Sequence, residues 1–305
     1  MISARRPDMP AAAASFAAAA CTVLLTAEPR AKAAAARALH SAWQGGGIPA
    51  PAPGDVAALP DRPARPDRPE LLSPARMPKR GRGGSTASRV RLLHALAHIE
   101  FNAIDLAVDM AARFSAVIDP DPVVQRRFAD DWLTIADDEA RHFGLIADRL
   151  ADLGAAYGDQ PAHDGLWSAA MATAHDMLGR LAVVPMVLEA RGLDVTPEMI
   201  RRLDAFGDTA SADALRVIYA DEVGHVAAGL RWLSHAAEAR GLDPRQMFHD
   251  RVRTLFPGRV KPPFNAEARA RAGMVPEDYE PLVDPRPVTR PTRCRSAPPA
   301  TSAVE

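Results

Sequence analysis

The sequence predicts an all-α protein organised around a four-helix bundle, with a helical and extended arm before the bundle and a disordered tail after it. Hydrophobic residues make up 48% of the 305 residues, and the abundant Ala, Leu and Arg favour helix over strand. Four central segments repeat apolar residues every three or four positions, which is the period of an amphipathic helix. Clusters of Pro and Gly flank these segments and indicate linkers.

These composition changes divide the chain into five segments. They are an N-terminal helical segment (1–44), a Pro/Arg-rich wrapping linker (45–84), the bundle (85–255), a C-terminal extension (256–282) and a disordered tail (283–305). The first residues resemble a signal peptide, since two arginines precede an apolar stretch. We favour two short helices, the second beginning at Pro29, because that stretch is mostly alanine.

The net charge and the cysteine content indicate which partners and which compartment to expect for the protein. The net charge of −1 gives no general attraction to nucleic acid or membrane. Cys21 and Cys294 lie near opposite ends of the chain, so no disulfide framework is implied. No apolar run is long enough to span a bilayer. We therefore expect a cytoplasmic protein without a membrane partner.

The helical periodicity predicts four long helices, over about 88–114, 123–153, 166–190 and 210–239. Gly192 is expected to end the third helix. Thr196 and Pro197 then resemble an N-cap followed by a proline at the first helical position, which predicts a separate short helix.

Each of the four apolar stripes is interrupted by a glutamate, and two of them also by a histidine. In chain order these residues are Glu100, then Glu139 and His142, then Glu189, then Glu222 and His225. Residues three apart share a helix face, so each Glu-x-x-His aims an oxygen and a nitrogen at one point. Four buried carboxylates repel one another unless cations neutralise them. The order of residues is the ligand set of di-iron and di-manganese carboxylate bundles, so we predict two metal ions at these six residues, iron first and manganese as the alternative.

Residues around these ligands are open to two interpretations each. Asp138 and Asp221 precede ligand glutamates, and either hydrogen-bond a ligand imidazole from their own or the facing helix or are solvated. Arg141 either screens the carboxylates or is exposed. Tyr219 is either a redox-active group or a core residue. Pro185 removes one helical hydrogen bond and either opens the helix beside the metals or kinks it without consequence.

Several stretches together resemble a known family. They are "LLHALAHIEFNAIDLAVDMAARF", "DWLTIADDEARHF", "YGDQPAHDGLW", "VPMVLEARGLDVTPEMI" and "DEVGHVAAGLRW", with "LPDRPARPDRPELLSP" upstream and "KPPFNAEARARAG" downstream. Over about residues 15–275 the chain resembles the ferritin-like family catalogued as domain of unknown function 455. The resemblance implies a ferritin-like bundle with a di-metal centre, and all six ligand positions match it. It implies no settled reaction.

The ligand set favours an enzyme, and the leading hypothesis is an O2-activating oxidase or hydroxylase acting on an unknown small molecule. RNA is a less favoured substrate, suggested by nine basic residues between Arg62 and Arg91 but opposed by the neutral overall charge. A non-enzymatic metal protein, for iron storage, buffering or delivery, and a scaffold that keeps the ligands are the alternatives. A homodimer is compatible with each of them.

Overall fold

The protein is described here from a computed structural model, over residues 15–73, 76–78 and 84–283. Within these ranges it is helical and forms no β-strand, as predicted; two isolated parallel bridges join Leu71 to Ala162 and Val260 to Val283. None of the described helices combines the length and the hydropathy needed to cross a membrane. The predictions for residues 1–14 and for the tail beyond residue 283 lie outside the described residues.

Two short helices form the beginning of the described chain, as predicted. They are α1 (Phe16–Leu24) and α2 (Pro29–Gln44). The Ser15 hydroxyl caps α1, and the Glu28 carboxylate accepts hydrogen bonds from the first backbone N–H groups of α2, which have no helical partner of their own. Trp43 packs edge-on against Phe16, with ring centroids 5.2 Å apart, so the two helices bury a shared apolar face.

Three of the four predicted long helices form with nearly the expected bounds. They are α3 (Thr86–Phe114), α4 (Pro122–Asp152) and α8 (Thr209–Glu238). Ser85, Asp121 and Asp208 cap them, each through a side-chain oxygen that accepts from a backbone N–H. Helix α3 packs along α4, and α4 meets α8.

The bounds predicted for the third long helix are wrong. The chain instead forms α5 (Gly165–Ala172), α6 (Met177–Val183), a π-helical turn (Val184–Glu189) and α7 (Ala190–Ala205). Helix α7 continues through Gly192 and Pro197, so the separate short helix predicted at Thr196 is also wrong. Pro197 leaves the carbonyl of Leu193 without its helical donor, and the side chain of Asn265 donates to that carbonyl at 3.2 Å.

Pro185 lies in the π-helical turn, which ends at Glu189. The turn accommodates the missing N–H of the proline by widening the helix locally. Helix α8 approaches it closely at Gly229, where an added Cβ would lie 2.5 Å from both Cβ and Cγ of Pro185. Glycine at this position therefore sets how near the turn carrying Glu189 can come to α8.

Helix α9 (Pro244–Leu255) lies within the range predicted for the bundle and packs against α6 and α8. The C-terminal extension then forms α10 (Ala266–Arg271), which contacts α7 and α8, and α11 (Pro276–Tyr279). Arg269 donates to both carboxylate oxygens of Asp194, at 2.8 and 2.7 Å. Arg191 donates to the carbonyls of Lys261 and Pro263, at 2.9 Å each. These contacts fix the extension against the helix that follows Glu189.

Helix α3 has a second polar stripe, on the face away from Glu100, and it is buried along its whole length. Its members are His94, His98, Asn102, Asp105 and Asp109. Asp105 binds Lys32 of α2 at 2.5 Å and also Arg65 of the arm. The stripe therefore holds the N-terminal segments against the bundle.

Residues later in the chain form the remaining ion pairs and hydrogen bonds with the stripe. Asp109 accepts from Arg180 at 2.6 Å and from Arg113 at 2.7 Å. The Tyr157 hydroxyl donates to Nδ1 of His98 at 2.8 Å. Buried charges are tolerated only with such partners, so the arm and the loop after α4 are structural parts of the fold.

Candidate metal centre

Side chains from four segments meet in the interior, between α3, α4, the π-helical turn and α8. Only 4% of Glu100, 1% of Glu139 and 3% of His225 is exposed, and His142 is fully buried. In α4 and in α8 the glutamate and the histidine are three residues apart, which places both on the inward face of the helix. The structure thus brings the predicted ligands of three long helices to one place.

Four of these residues form the tightest group. Glu100, Glu139, His142 and Glu222 each offer one ligand atom, and these atoms all lie within 4.8 Å of one another. The Nδ1 atom of His142 lies 3.3 Å from Oε2 of Glu139 and 3.5 Å from Oε2 of Glu100. Three carboxylates and one imidazole at this spacing can hold a metal ion.

The second histidine extends this group on the other side of Glu139. The Nδ1 atom of His225 lies 3.1 Å from Oε1 of Glu139 and 3.6 Å from Oε2 of Glu222. The rings of His142 and His225 have centroids 5.8 Å apart. Glu139 therefore faces one imidazole with each of its two oxygens. Glu189 is outside the tightest group, but its Oε2 is buried nearby without a hydrogen-bond partner.

Both histidines are oriented by an aspartate from the opposite helix. Nε2 of His142 donates to Asp221 at 3.0 Å, and Nε2 of His225 donates to Asp138 at 3.4 Å. Because an ionised carboxylate only accepts, Nε2 carries the proton, and Nδ1 of each ring is directed at the glutamates. Arg141 donates to both aspartates at 2.8 Å. Of the two arrangements left open by the sequence, the crossed one is observed.

Burial raises the pKa of three carboxyl groups in the cluster. The pKa of Glu100 is raised well above its ordinary value by burial and by the charge of Glu139. The pKa of Glu189 is raised well above its ordinary value, and that of Glu222 is raised, by burial and by neighbouring glutamates. Without a cation, these groups are driven towards their neutral, protonated form.

The pKa values of Glu139 and of the two histidines shift so that the charged forms are favoured. Burial disfavours the charge of Glu139, but hydrogen bonds with His142 and His225 outweigh burial and hold its pKa below the ordinary range. Burial likewise opposes the charge of His142, yet hydrogen bonds with Asp221, Glu100 and Glu139 raise its pKa to about 12. The pKa of His225 is also raised, for the same kind of reason. In the absence of a metal, protons therefore neutralise the cluster, and a metal ion would displace them.

The cluster satisfies a further test of metal binding, because its donors lack other partners. Among the described residues, five buried side-chain atoms of this cluster have no hydrogen-bond partner outside it. They are Oε2 of Glu100, Oε1 of Glu139, Oε2 of Glu189, Oε2 of Glu222 and Nδ1 of His225. Unpaired buried polar atoms are costly and rare in native proteins. Oxygen donors combined with imidazole suit iron, manganese or zinc.

Tyr219 does not point towards the ligands in any described contact. Its hydroxyl accepts a hydrogen bond from the side chain of Asn265 at 2.8 Å, which places it among the contacts of the C-terminal extension.

The second polar stripe of α3 was not identified from the sequence. The spacing of its five members, three or four residues apart, would have revealed a second inward face.

The fold and the site together define an all-helical protein with a buried glutamate and histidine cluster that can hold metal. The chain belongs to the family described as "Protein of unknown function (DUF455)", which matches residues 25–280. It is similar to an "Uncharacterized protein" of Haemophilus influenzae, with 40% identity over 217 residues, covering 71% of this chain and 75% of the relative. No solved structure matches the chain. Family membership, predicted from the quoted motifs, is confirmed.

Proposed function

We propose that the protein is a non-haem di-iron carboxylate protein with a ferritin-like bundle, and that it uses O2 to oxidise or hydroxylate a small organic substrate. Manganese is the alternative metal. The observation that carries the proposal is the paired arrangement around Glu139, with one imidazole at 3.3 Å from one of its oxygens and another at 3.1 Å from the other. Such pairing supports two neighbouring cation positions that share one carboxylate.

The other donors fit the same arrangement. Glu100 lies on the His142 side, since its Oε2 is 3.5 Å from Nδ1 of that ring. Glu222 lies on the His225 side, at 3.6 Å. Glu189, at the end of the π-helical turn, supplies a fourth carboxylate with an unpaired buried oxygen. Four carboxylates balance the charge of two divalent ions, and one neutral imidazole remains for each ion.

The remaining residues of the chain orient the ligands and exclude water. Iron ions held by these residues would supply the electrons that reduce O2. Asp138 and Asp221 fix the proton on Nε2 of the histidines, so that Nδ1 keeps its lone pair for coordination. The low exposure of Glu139 and His142 keeps the site dry, which strengthens charge interactions there.

A small molecule is favoured over RNA as the substrate. Arginines of the basic strip are engaged in ion pairs within the fold: Arg62 with Asp164, Arg65 with Asp105, and Arg89 with Asp208. Arginines held this way are less available to phosphate groups. The same ion pairs support a stabilising role for the arm.

Metal analysis and oxygen exposure test the proposal. Metal-free protein is loaded anaerobically with ferrous ion and then exposed to O2. We expect about two iron ions per chain, followed by O2 consumption and a new ligand-to-metal absorption band. A fully iron-loaded protein that neither consumes O2 nor changes colour would contradict the oxidase assignment and favour metal storage or delivery.

A matched variant separates the cluster from adventitious metal binding. Replacing both Glu139 and Glu222 by alanine removes two central donors and should abolish stoichiometric binding. Loss of Glu222 relieves repulsion among the buried carboxylates, but loss of Glu139 leaves two buried histidines without their partner and destabilises the metal-free bundle. Circular dichroism checks the fold, and retention of two iron ions by this variant would place the metal elsewhere.

A further inference from the structure

The buried cluster has one side that approaches solvent, between α4 and α8. The side chains of Asp138 and Asp221 are 28% and 30% exposed, and that of Arg141 is 36% exposed. The ligands behind them, including Glu139 and His225, are almost completely buried. The aspartates that orient the two histidines therefore stand between the cluster and water.

A groove of about 400 Å³ leads from the surface to this side. Asp131, Asp138, Asp221 and His225 line it. The wall on α8 consists of Ala220, Gly224 and Ala228, spaced four residues apart. A Cβ added at Gly224 would meet no atom within 4 Å, so the groove is open at the residue next to His225.

We propose that this groove is the port through which divalent cations enter and leave the buried cluster. The proposal rests on the proposed metal-binding function and adds a route to it. Three aspartates line the port: Asp131 at the rim, 34% exposed and bound to Arg231, and then Asp138 and Asp221, which contact the buried histidines. Carboxylate oxygens replace water molecules around a divalent cation, so a cation can lose its hydration shell in steps on the way inward.

The described contacts leave one oxygen each of Asp131 and Asp221 available, whereas both oxygens of Asp138 accept hydrogen bonds. Asp131 accepts from Arg231 and from Trp232 through Oδ2 in both cases. Asp221 accepts from Arg141 and from His142, again through Oδ2 in both cases. In the described part of the chain, Oδ1 of each is thus left for a passing ion. At the inner end, Nδ1 of His225 and Oε1 of Glu139 are buried and face each other at 3.1 Å, and neither has a described partner outside the cluster.

The charge of the port suits transit better than retention. Arg141 binds the two inner aspartates, and Arg231 binds the outer one. Three carboxylates against two guanidinium groups leave a weak negative balance, which attracts cations without trapping them. The four glutamates inside provide the stronger site.

A blocked port tests the proposal. Gly224→Trp places a large ring in the groove without a backbone clash, and Gly224→Ala changes the helix backbone equally but leaves the groove open. Metal-free protein is mixed with Co²⁺ in a stopped-flow instrument, and the absorption of bound cobalt is followed. We expect Gly224→Trp to take up and release cobalt at least about tenfold more slowly than Gly224→Ala, with the same final stoichiometry.

A charge variant gives a second and gentler test. Asp131→Asn keeps an oxygen that accepts from Trp232 but removes the charge at the rim. Its control is Asp148→Asn, which removes one charge from a 69% exposed side chain of the same helix, roughly 25 Å away along α4. Uptake should be slower in Asp131→Asn alone, and the difference should shrink as salt is added.

The outcomes separate the port from the site itself. Equal cobalt uptake rates in Gly224→Trp and Gly224→Ala, with both variants folded by circular dichroism, would overturn the port. If Gly224→Trp fails to fold, equal rates in Asp131→Asn and Asp148→Asn at low salt would overturn it instead. Failure of the unmodified protein to bind cobalt at all would overturn the proposed metal site, whatever the variants do.

Discussion

Replacing Glu100 or Glu139 by glutamine should change the stability of the metal-free protein in opposite directions. Both substitutions keep the size of the side chain and remove its charge. Glu139 is ion-paired with two buried histidines, at 3.3 and 3.1 Å, whereas the carboxyl of Glu100 is driven towards its neutral form by burial. The charge of Glu139 therefore stabilises the metal-free protein, whereas a charge on Glu100 would destabilise it.

The expected magnitudes follow from these differences. Protonating a carboxyl of ordinary pKa 4.5 at pH 7 costs up to about 3 kcal/mol. Because glutamine avoids that cost, Glu100→Gln should stabilise the metal-free protein by about 1–3 kcal/mol after the loss of its contact with His142. Breaking a buried ion pair leaves uncompensated charge, so Glu139→Gln should destabilise it by about 3–5 kcal/mol.

The stabilisation by Glu100→Gln should depend on pH. The pKa of Glu100 is higher in the folded than in the unfolded state, so its unfavourable contribution is absent below the unfolded pKa of 4.5 and grows as pH rises. The gain from Glu100→Gln should therefore be present at pH 7 and vanish near pH 4.5. Urea unfolding with chelator at several pH values measures it. Equal destabilisation by both variants at pH 7 would refute the charge assignment of the cluster.

Two further predictions concern other parts of the fold. Gly229→Ala should destabilise the protein by about 1–3 kcal/mol in thermal unfolding, because the new Cβ would lie 2.5 Å from Pro185. The control Gly224→Ala should be neutral or stabilising by up to about 1 kcal/mol. Equal effects of the two substitutions would contradict the close approach of α8 to Pro185. Burial lowers the pKa of His94 from 6.5 to about 4, so its contribution is complete above pH 6.5 and up to about 3 kcal/mol is lost as pH falls to 4. His94→Gln should reduce this acid sensitivity in urea unfolding, and an unchanged pH profile would argue against a neutral buried imidazole.

The residues of the buried cluster could be located from the sequence because local periodicity determines which helix face is buried. Helices α3, α4 and α8 have side-chain caps and long apolar stripes that only the glutamates and histidines of the cluster interrupt. A glutamate within such a stripe must face the interior, whatever the helix packs against. The inward position of Glu100, Glu139 and His225 therefore followed from spacing alone.

Other features could not be predicted because they depend on contacts between distant residues. Thr196 and Pro197 carry the local signals of a helix start, yet α7 continues because Asn265, far along the chain, donates to the carbonyl that Pro197 leaves free. The crossed bonds from Asp138 to His225 and from Asp221 to His142 depend on the register between α4 and α8. Neither register nor long-range donors are encoded in a single helical period.

The buried polar stripe of α3 limits how far the protein can be shortened from its N-terminal side. A fragment beginning at residue 85 would keep every candidate ligand but lose Lys32 and Arg65, the two cations that neutralise Asp105. The Asp105 carboxylate would then be buried without a cation, which is unfavourable. Exposing it to water would require α3 to rotate or unwind. The segments that carry Lys32 and Arg65 therefore belong to the smallest unit that we expect to fold, and that unit extends beyond the helices that carry the candidate ligands.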